Sequence, residues 1–303
     1  MTTTTQTTDA ARQATLTRAA SRRRHRTFGE ASTAEKIVRY VMLVFVLLIT
    51  VGPFLWELST SLKGPGEDIY TTNPQLIPTQ PTLANYLHVI QAIPVFGYIG
   101  NSLIVAALTV GGNVIFSTFA GFAIARLRWK GRRVVLALFL ATLVLPGEAT
   151  IISQFVTVRG LGLADSLLGV ALPGMIAALN VLLMYNAFRQ VPDEIDQAAV
   201  MDGATSWQRL WFIALPAVRG TIAVIAIFSF IGAWDDFLWP LIVLTTPEKF
   251  TLTIGLQYLS GTFANDQRMI AAGTMIAFIP IAIVFSVLQR FFFKGVEEGG
   301  VKG

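Results

Sequence analysis

Six stretches of this sequence run for about 20 residues or more with very little charge, the length a helix needs to cross a hydrocarbon core about 30 Å thick. They are Ile37–Ser59, Ile99–Phe122, Val134–Thr157, Leu167–Phe188, Ala217–Val243 and Ile270–Phe293. Composition agrees: 53% of the 303 residues are hydrophobic and 14% charged. A soluble domain carries about 25% charge. The expected fold is an all-α polytopic membrane protein with six transmembrane helices. The first stretch follows Arg22–Arg26, as a signal peptide would. Its apolar part is longer than a typical signal core and no small-residue cleavage site follows, so it reads as a retained anchor.

Basic residues set the orientation, because loops on the cytoplasmic side retain Lys and Arg. With the N-terminus inside, 19 of the 23 Lys and Arg residues fall on the cytoplasmic side. The largest internal group is Arg126, Arg128, Lys130, Arg132 and Arg133, and the four outside are Lys63, Arg159, Lys249 and Arg268. Both termini are expected in the cytoplasm. Residues 1–36 are rich in Thr, Ala and Arg and are expected to be a disordered basic tail, leaving 37–303 as the membrane domain. The tail arginines read as a topology signal or as contacts to anionic membrane lipid.

Several classes of chemistry are excluded. The net charge of +5 is dispersed in short clusters between apolar runs and builds no nucleic-acid face. The chain has no Cys, and its two His residues, His25 and His88, have no second ligand at metal-binding spacing. No Gly-x4-Gly-Lys-Ser/Thr phosphate loop is present. The chain is therefore expected to bind no cofactor and to be no enzyme.

Between the fourth and fifth stretches lies VPDEIDQAAVMDGATSWQRLWFIALP, residues 191–216. Pro192 suits the first turn of a helix, and Asp193, Glu194 and Asp196 suit its positive end. Ile195, Ala198 and Ala199 follow at helical spacing with little bulk. Gly203 after Asp202 marks a helix stop. Thr205, with Gln208 three residues on, is a capping-box signature for a second helix ending near Leu215-Pro216. Two readings of this helix–turn–helix stand on geometry alone: a docking surface for another protein, or an interfacial hairpin without a partner.

The residues themselves separate those readings. The segment resembles the EAA loop of bacterial ABC-importer permeases, whose pattern is Glu-Ala-Ala, three residues, Gly, nine residues, Ile, one residue, Leu-Pro. Gln197, Ala198, Ala199, Gly203, Ile213, Leu215 and Pro216 fall on that spacing, with Gln197 in the place of the usual Glu. PTLANY (81–86), Asn101-Ser102, ARLRWKGRR (125–133), Trp234–Pro240 and FKGVEEGGVKG (293–303) are similar to the carbohydrate branch, maltose-permease MalG-type subunits. The resemblance implies a coupling helix that docks on a separate ATPase, with Glu194, Asp202 and Ala204 flanking the motif and helping to transmit ATPase closure. It also implies a homologous second permease, two ATPase subunits holding ATP and Mg, and an extracytoplasmic solute-binding protein. The cargo implied is a sugar, a di- or oligosaccharide. A polyol or glycerol phosphodiester is the alternative cargo, and an ATP-independent channel or carrier the alternative class.

Candidate substrate-path residues follow from the same resemblance. Trp234, Asp235 and Asp236 are unusual in lipid and face either a cavity or the headgroup rim, with Trp234 and Trp239 as anchors in the second case. Asn113 and Asn180 line a polar path or hydrogen-bond to neighbouring helices. Glu148 lies in the path or near the outer surface. The outward segment Thr246–Arg268 occupies the position of a family loop that reaches into the binding protein. Tyr258, Ser260, Thr262 and Asn265 there either compete for sugar hydroxyls or belong to a polar connector.

Overall fold

A computed structural model of the chain describes residues 33–67, 69, 75–262 and 266–300, with backbone alone at 288 and 290–300. The described residues contain helices and no strand. The described residues up to Leu55 form one compact unit and the described residues from Trp56 onward a second.

Helix α1 (Thr33–Leu62) contains the first expected span. It begins inside the expected tail, because Thr33-Ala34-Glu35 starts a helix well and Glu35 reaches Arg39 one turn on, at 4.0 Å. The rest of the tail lies outside the described residues. Its side chains from Thr33 to Thr50 are exposed, as suits a helix in lipid. A short helix α2 (Ala84–Ala92) precedes α3 (Val95–Arg126), whose 32 residues extend about 48 Å. The last helix, labelled α13 below, covers Gln267–Gly300 and carries Pro280.

The third, fourth and fifth expected spans are not single helices. Val134–Thr157 is divided between α4 (Arg132–Thr142) and α5 (Ile151–Gly160), which meet at 104°. Pro146, which lacks an N–H and pushes its predecessor out of the helical region, stands at the break. Leu167–Phe188 is divided between α6 (Leu167–Ala171) and α7 (Ala178–Gln190) by a 3-10 turn around Pro173, with a 43° bend. Residues 191–217 hold α8 (Asp193–Met201) and α9 (Ser206–Ala217), and α9 meets α10 (Arg219–Asp235) at 78°. The fifth span breaks again where Asp236 turns extended before α11 (Leu238–Val243). Three described helices are long and apolar enough to cross a membrane alone, and up to six spans result if each bent pair is one.

Thr246–Arg268 is also not a polar connector. It carries α12 (Leu252–Thr262), whose Leu252, Ile254, Gly255 and Leu259 are buried.

Helix α3 is the centre of the second unit and packs on α7 and α10. At Gly121 a Cβ would lie 2.6 Å from the Met184 side chain and 2.9 Å from the Tyr185 nitrogen, so only glycine permits this approach. Three apolar clusters follow along the bundle. One joins Val95, Tyr98 and Ala106 to Phe230, Trp234 and Met269. A second joins Val105 and Val158 to Trp239, Val243 and Ile254. The third, at the end bearing α8 and α9, joins Phe122, Met184 and Phe188 to Leu210, Ala214 and Val218.

Candidate functional site

Helix α8 starts where the local chemistry expects, with Pro192 as its N-cap and Asp193, Glu194 and Asp196 in its first turn. Asp202 caps its C-terminus, and Gly203 takes φ +80°, the left-handed region that glycine enters without strain. The Ala204 N–H then donates back to the Ala199 carbonyl at 2.9 Å. Thr205 and Gln208 form the capping box: the Thr205 N–H donates to Gln208 Oε1 at 2.8 Å and the Gln208 N–H to Thr205 Oγ1 at 3.3 Å. Residues Arg209–Ala214 wind as a π-helix. Pro216, two residues on, removes the N–H that would bond Phe212, and its ring crowds that carbonyl, so the preceding turn widens.

The outer surface of this hairpin exposes Glu194, Gln197, Ala198, Asp202 and Gly203. Ala199, Ala204, Ile213 and Leu215 are half-buried behind them, and Pro216 is exposed. Large apolar side chains accompany the polar ones: Met201 is 86% exposed and Phe212 79%. Trp207 stacks on Phe119 of α3, with ring centroids 5.7 Å apart, which fixes one edge of the hairpin to the bundle.

One arginine fastens the hairpin to the bundle and a second closes it on itself. Arg126, at the end of α3, is nearly buried, with 6% of its side chain exposed. Its Nε donates to the Phe188 carbonyl at 2.9 Å, its Nη2 donates to the carbonyls of Phe188 and Val191, and its Nη1 pairs with Asp193. One guanidinium thus holds the end of α3, the end of α7 and the start of α8. Arg209 of α9 forks onto Asp196 of α8, with Nε to Oδ1 at 2.8 Å and Nη2 to Oδ2. Neither arginine stands out in the sequence, where each is one more cytoplasmic positive charge.

Within the bundle lies a cavity of about 440 Å³. Thr109, Asn113, Asn180, Ser229, Asp236 and Trp239 are among its walls, with Gln154 and Phe228. Asn113 and Asn180 face this cavity and also bond across helices. Asn113 Nδ2 donates to the Gly174 carbonyl at 2.7 Å, and its Oδ1 accepts from Ser117 at 3.1 Å and from Asn180 at 3.0 Å. Asn180 Nδ2 also donates to Ser229 Oγ at 3.1 Å. The net joins α3, α7 and α10.

Trp234 does not face the cavity. It is 3% exposed, stacks on Phe230 and donates to the Ala277 carbonyl of α13, so the structure places it in the packed core, away from both the cavity and the exposed rim. Trp239 is also buried, its indole N–H donating to the Val170 carbonyl at 3.0 Å, while its surface lines the cavity. Asp235 is exposed and outside the cavity lining. Asp236 lines the cavity and accepts from the Trp239 N–H at 3.3 Å. Glu148 is exposed in the turn between α4 and α5. Thr109, Gln154, Phe228 and Ser229 are among the cavity residues that the sequence does not single out, and Trp239 reads there only as a rim anchor, because the helix breaks decide which face each presents.

At the opposite end of the bundle from the hairpin, Tyr258 and Thr262 are exposed on α12 and Ser260 is half-buried, while Asn265 lies outside the described residues. Asp165 stands nearby in the left-handed region, at φ +54°. The Lys249 ammonium and the Thr246 hydroxyl beside it, with the backbone N–H groups of Thr245 and Thr246, hold its carboxyl well below the usual carboxylate range. This carboxylate ties the loop before α6 to the loop after α11.

A family model described as "Binding-protein-dependent transport system inner membrane component" matches residues 113–298. The galactooligosaccharides transport system permease protein GanQ of Bacillus subtilis is 32% identical over 87% of this chain and 94% of its own length. The arabinooligosaccharides transport system permease protein AraQ of Halalkalibacterium halodurans is 31% identical over 86% of this chain and 94% of its own. Among solved structures, a chain of a bacterial ABC transporter involved in the import of alginate superposes with a TM-score of 0.75 at 24% identity. It covers 87% of this chain and 99% of that one, a likeness of fold.

Proposed function

This chain belongs to the family of binding-protein-dependent transport system inner membrane components, and from that premise we propose that it is the sugar-translocating permease of an ABC importer. It lies in the inner membrane, crosses it several times, and is a transport subunit, not an enzyme. In this reading the broken helices complete six spans with both termini cytoplasmic. A homologous permease lies beside it, two ATPase subunits holding ATP and Mg lie below it, and the binding protein docks outside. The charge count supports the orientation, since 19 of 23 basic residues fall on the hairpin side.

The hairpin of α8 and α9 carries the proposal. Its Gly203 turn is exposed with exposed apolar side chains in the same hairpin, yet Arg126 anchors it to the ends of α3 and α7, and Arg209 locks its two helices together. A load applied at the exposed turn therefore reaches the spans as a rigid displacement. Closure of the ATPase pair supplies the load, and opening of the cavity toward the binding protein is the response.

Cavity chemistry supports a neutral sugar. Hydroxyl and amide groups from Thr109, Gln154, Asn180 and Ser229, with the aromatic faces of Phe228 and Trp239, suit a ring with polar edges and apolar faces. The lining holds the Asp236 carboxylate and no Lys or Arg, which disfavours a phosphodiester or acidic glycoside. The names of the relatives, which carry galacto- and arabinooligosaccharides, point toward a di- or oligosaccharide.

The test is uptake by the co-purified assembly in proteoliposomes. Gly203→Trp, inserted normally, should lose ATP-driven uptake, because the bulky residue strains the turn and stands on the docking face. Wild-type uptake by that variant would remove the hairpin from the mechanism. Uptake by this chain alone without ATP would make it a channel or carrier.

A further inference from the structure

Basic side chains at the hairpin end of the bundle divide into two kinds. Arg126 and Arg209 are paired with carboxylates. Arg132, Arg133 and Arg189 have no ion pair among the described residues, and all three line one cleft of about 280 Å³, although Arg132, with Nη1 3.4 Å from the Leu127 carbonyl, also borders the adjoining cleft lined by Asp193 and Asp196. Its remaining walls are Ile124, Ala125, Leu136 and Tyr185, so no carboxylate lines it. Tyr185 orients Arg189: the guanidinium lies 5.8 Å above its ring, and Nη1 is 3.4 Å from its hydroxyl.

We infer that this cleft binds the phosphate of an anionic phospholipid headgroup. Three guanidinium groups around one space repel each other until an anion enters, and the planar fork of arginine matches phosphate oxygens two at a time. The position selects lipid. Arg132 and Arg133 are the first two residues of α4, which has no fully buried side chain; Val134, Leu138 and Leu140 beyond them are exposed. An acidic protein surface would satisfy the charges and leave that apolar flank uncovered. A phospholipid covers both, with its phosphate in the cleft and its acyl chains along α4. The leaflet, cytoplasmic, rests on the orientation proposed above; the binding itself does not.

The assembly is extracted into nanodiscs of phosphatidylcholine with a minor share of phosphatidylglycerol, and retained lipid is identified by native mass spectrometry. Phosphatidylglycerol should be retained roughly a hundredfold over its share, and each arginine replaced by Gln should remove about fivefold of that preference. Arg133→Gln alone changes an exposed residue and tests the cleft if the triple variant does not fold. Arg128→Gln with Lys130→Gln, outside the cleft, should leave the preference intact. Equal retention of phosphatidylcholine, or an unchanged preference in Arg133→Gln and the triple variant, overturns the proposal. Displacement of the lipid signal by inorganic phosphate, bound as tightly in lipid-free detergent, overturns the lipid and assigns the cleft to free phosphate. Uptake measured in parallel keeps the two readings apart: lost lipid with retained uptake leaves the permease standing.

Discussion

Asn113 shows how one side chain carries two demands. Its amide faces the cavity and at the same time takes part in three hydrogen bonds, one within α3 to Ser117 and two that join α3 to the Gly174 turn and to Asn180 of α7. Polar ties between helices in lipid contribute about 1 kcal/mol each. Asn113→Leu should therefore lower the melting temperature of the detergent-solubilised assembly by an amount equivalent to about 1–2 kcal/mol. An unchanged melt with a raised KM for uptake would instead mark Asn113 as a sugar contact. Residues whose partners are local were legible in the sequence: Gly203, Thr205 and Gln208 bond within the turn they form. Trp234 was not, because its partners Phe230 and Ala277 lie one turn and one helix away, and nothing in a single apolar run says which face meets α13.

At the scale of elements, the guanidinium of Arg126 decides how α8 follows α3 and α7. A lysine keeps the charge but gathers its donors on one atom, and cannot reproduce the four contacts that the planar guanidinium spreads over three nitrogens. Arg126→Lys and Arg126→Gln should both reduce ATP-driven uptake by on the order of tenfold or more, by the loss of a buried fork worth a few kcal/mol. Asp193→Asn should do little, since that carboxylate is 78% exposed and an exposed pair contributes about 0–1 kcal/mol. Equal effects from Arg126→Gln and Asp193→Asn, compared as uptake rates at matched insertion, would reduce the clasp to an ordinary ion pair. The hairpin itself could be read residue by residue, because caps and glycine turns are short-range chemistry. The breaks at Pro146, Pro173 and Asp236 were less legible: a hydropathy window averages across a Pro-Gly pair and reports one long span where the chain makes two helices and a corner.

For the whole molecule, Asp165 links the two loops that close the end opposite the hairpin. Its carboxyl is depressed in the folded state, so its contribution is present above the ordinary aspartate pKa and is lost only as pH falls toward the lower folded value. Asp165→Asn keeps the left-handed backbone, which Asn tolerates, and removes the charge. It should lower the melting temperature by the same amount at about pH 5 and about pH 7; a deficit confined to the higher pH would mean that the group titrates in between. The corner in the third span has a separate consequence for how the protein is made. Neither α4 nor α5, with 11 and 10 residues, reaches across about 30 Å of hydrocarbon. Val158 shares its apolar cluster with Val105 behind it and Val170 just ahead, but also with Trp239, Val243 and Ile254, some 80 to 95 positions further along. The region is therefore completed late in biogenesis: while the ribosome is still reading the middle of the message, the segment has left the translocon with only part of the packing that will hold it.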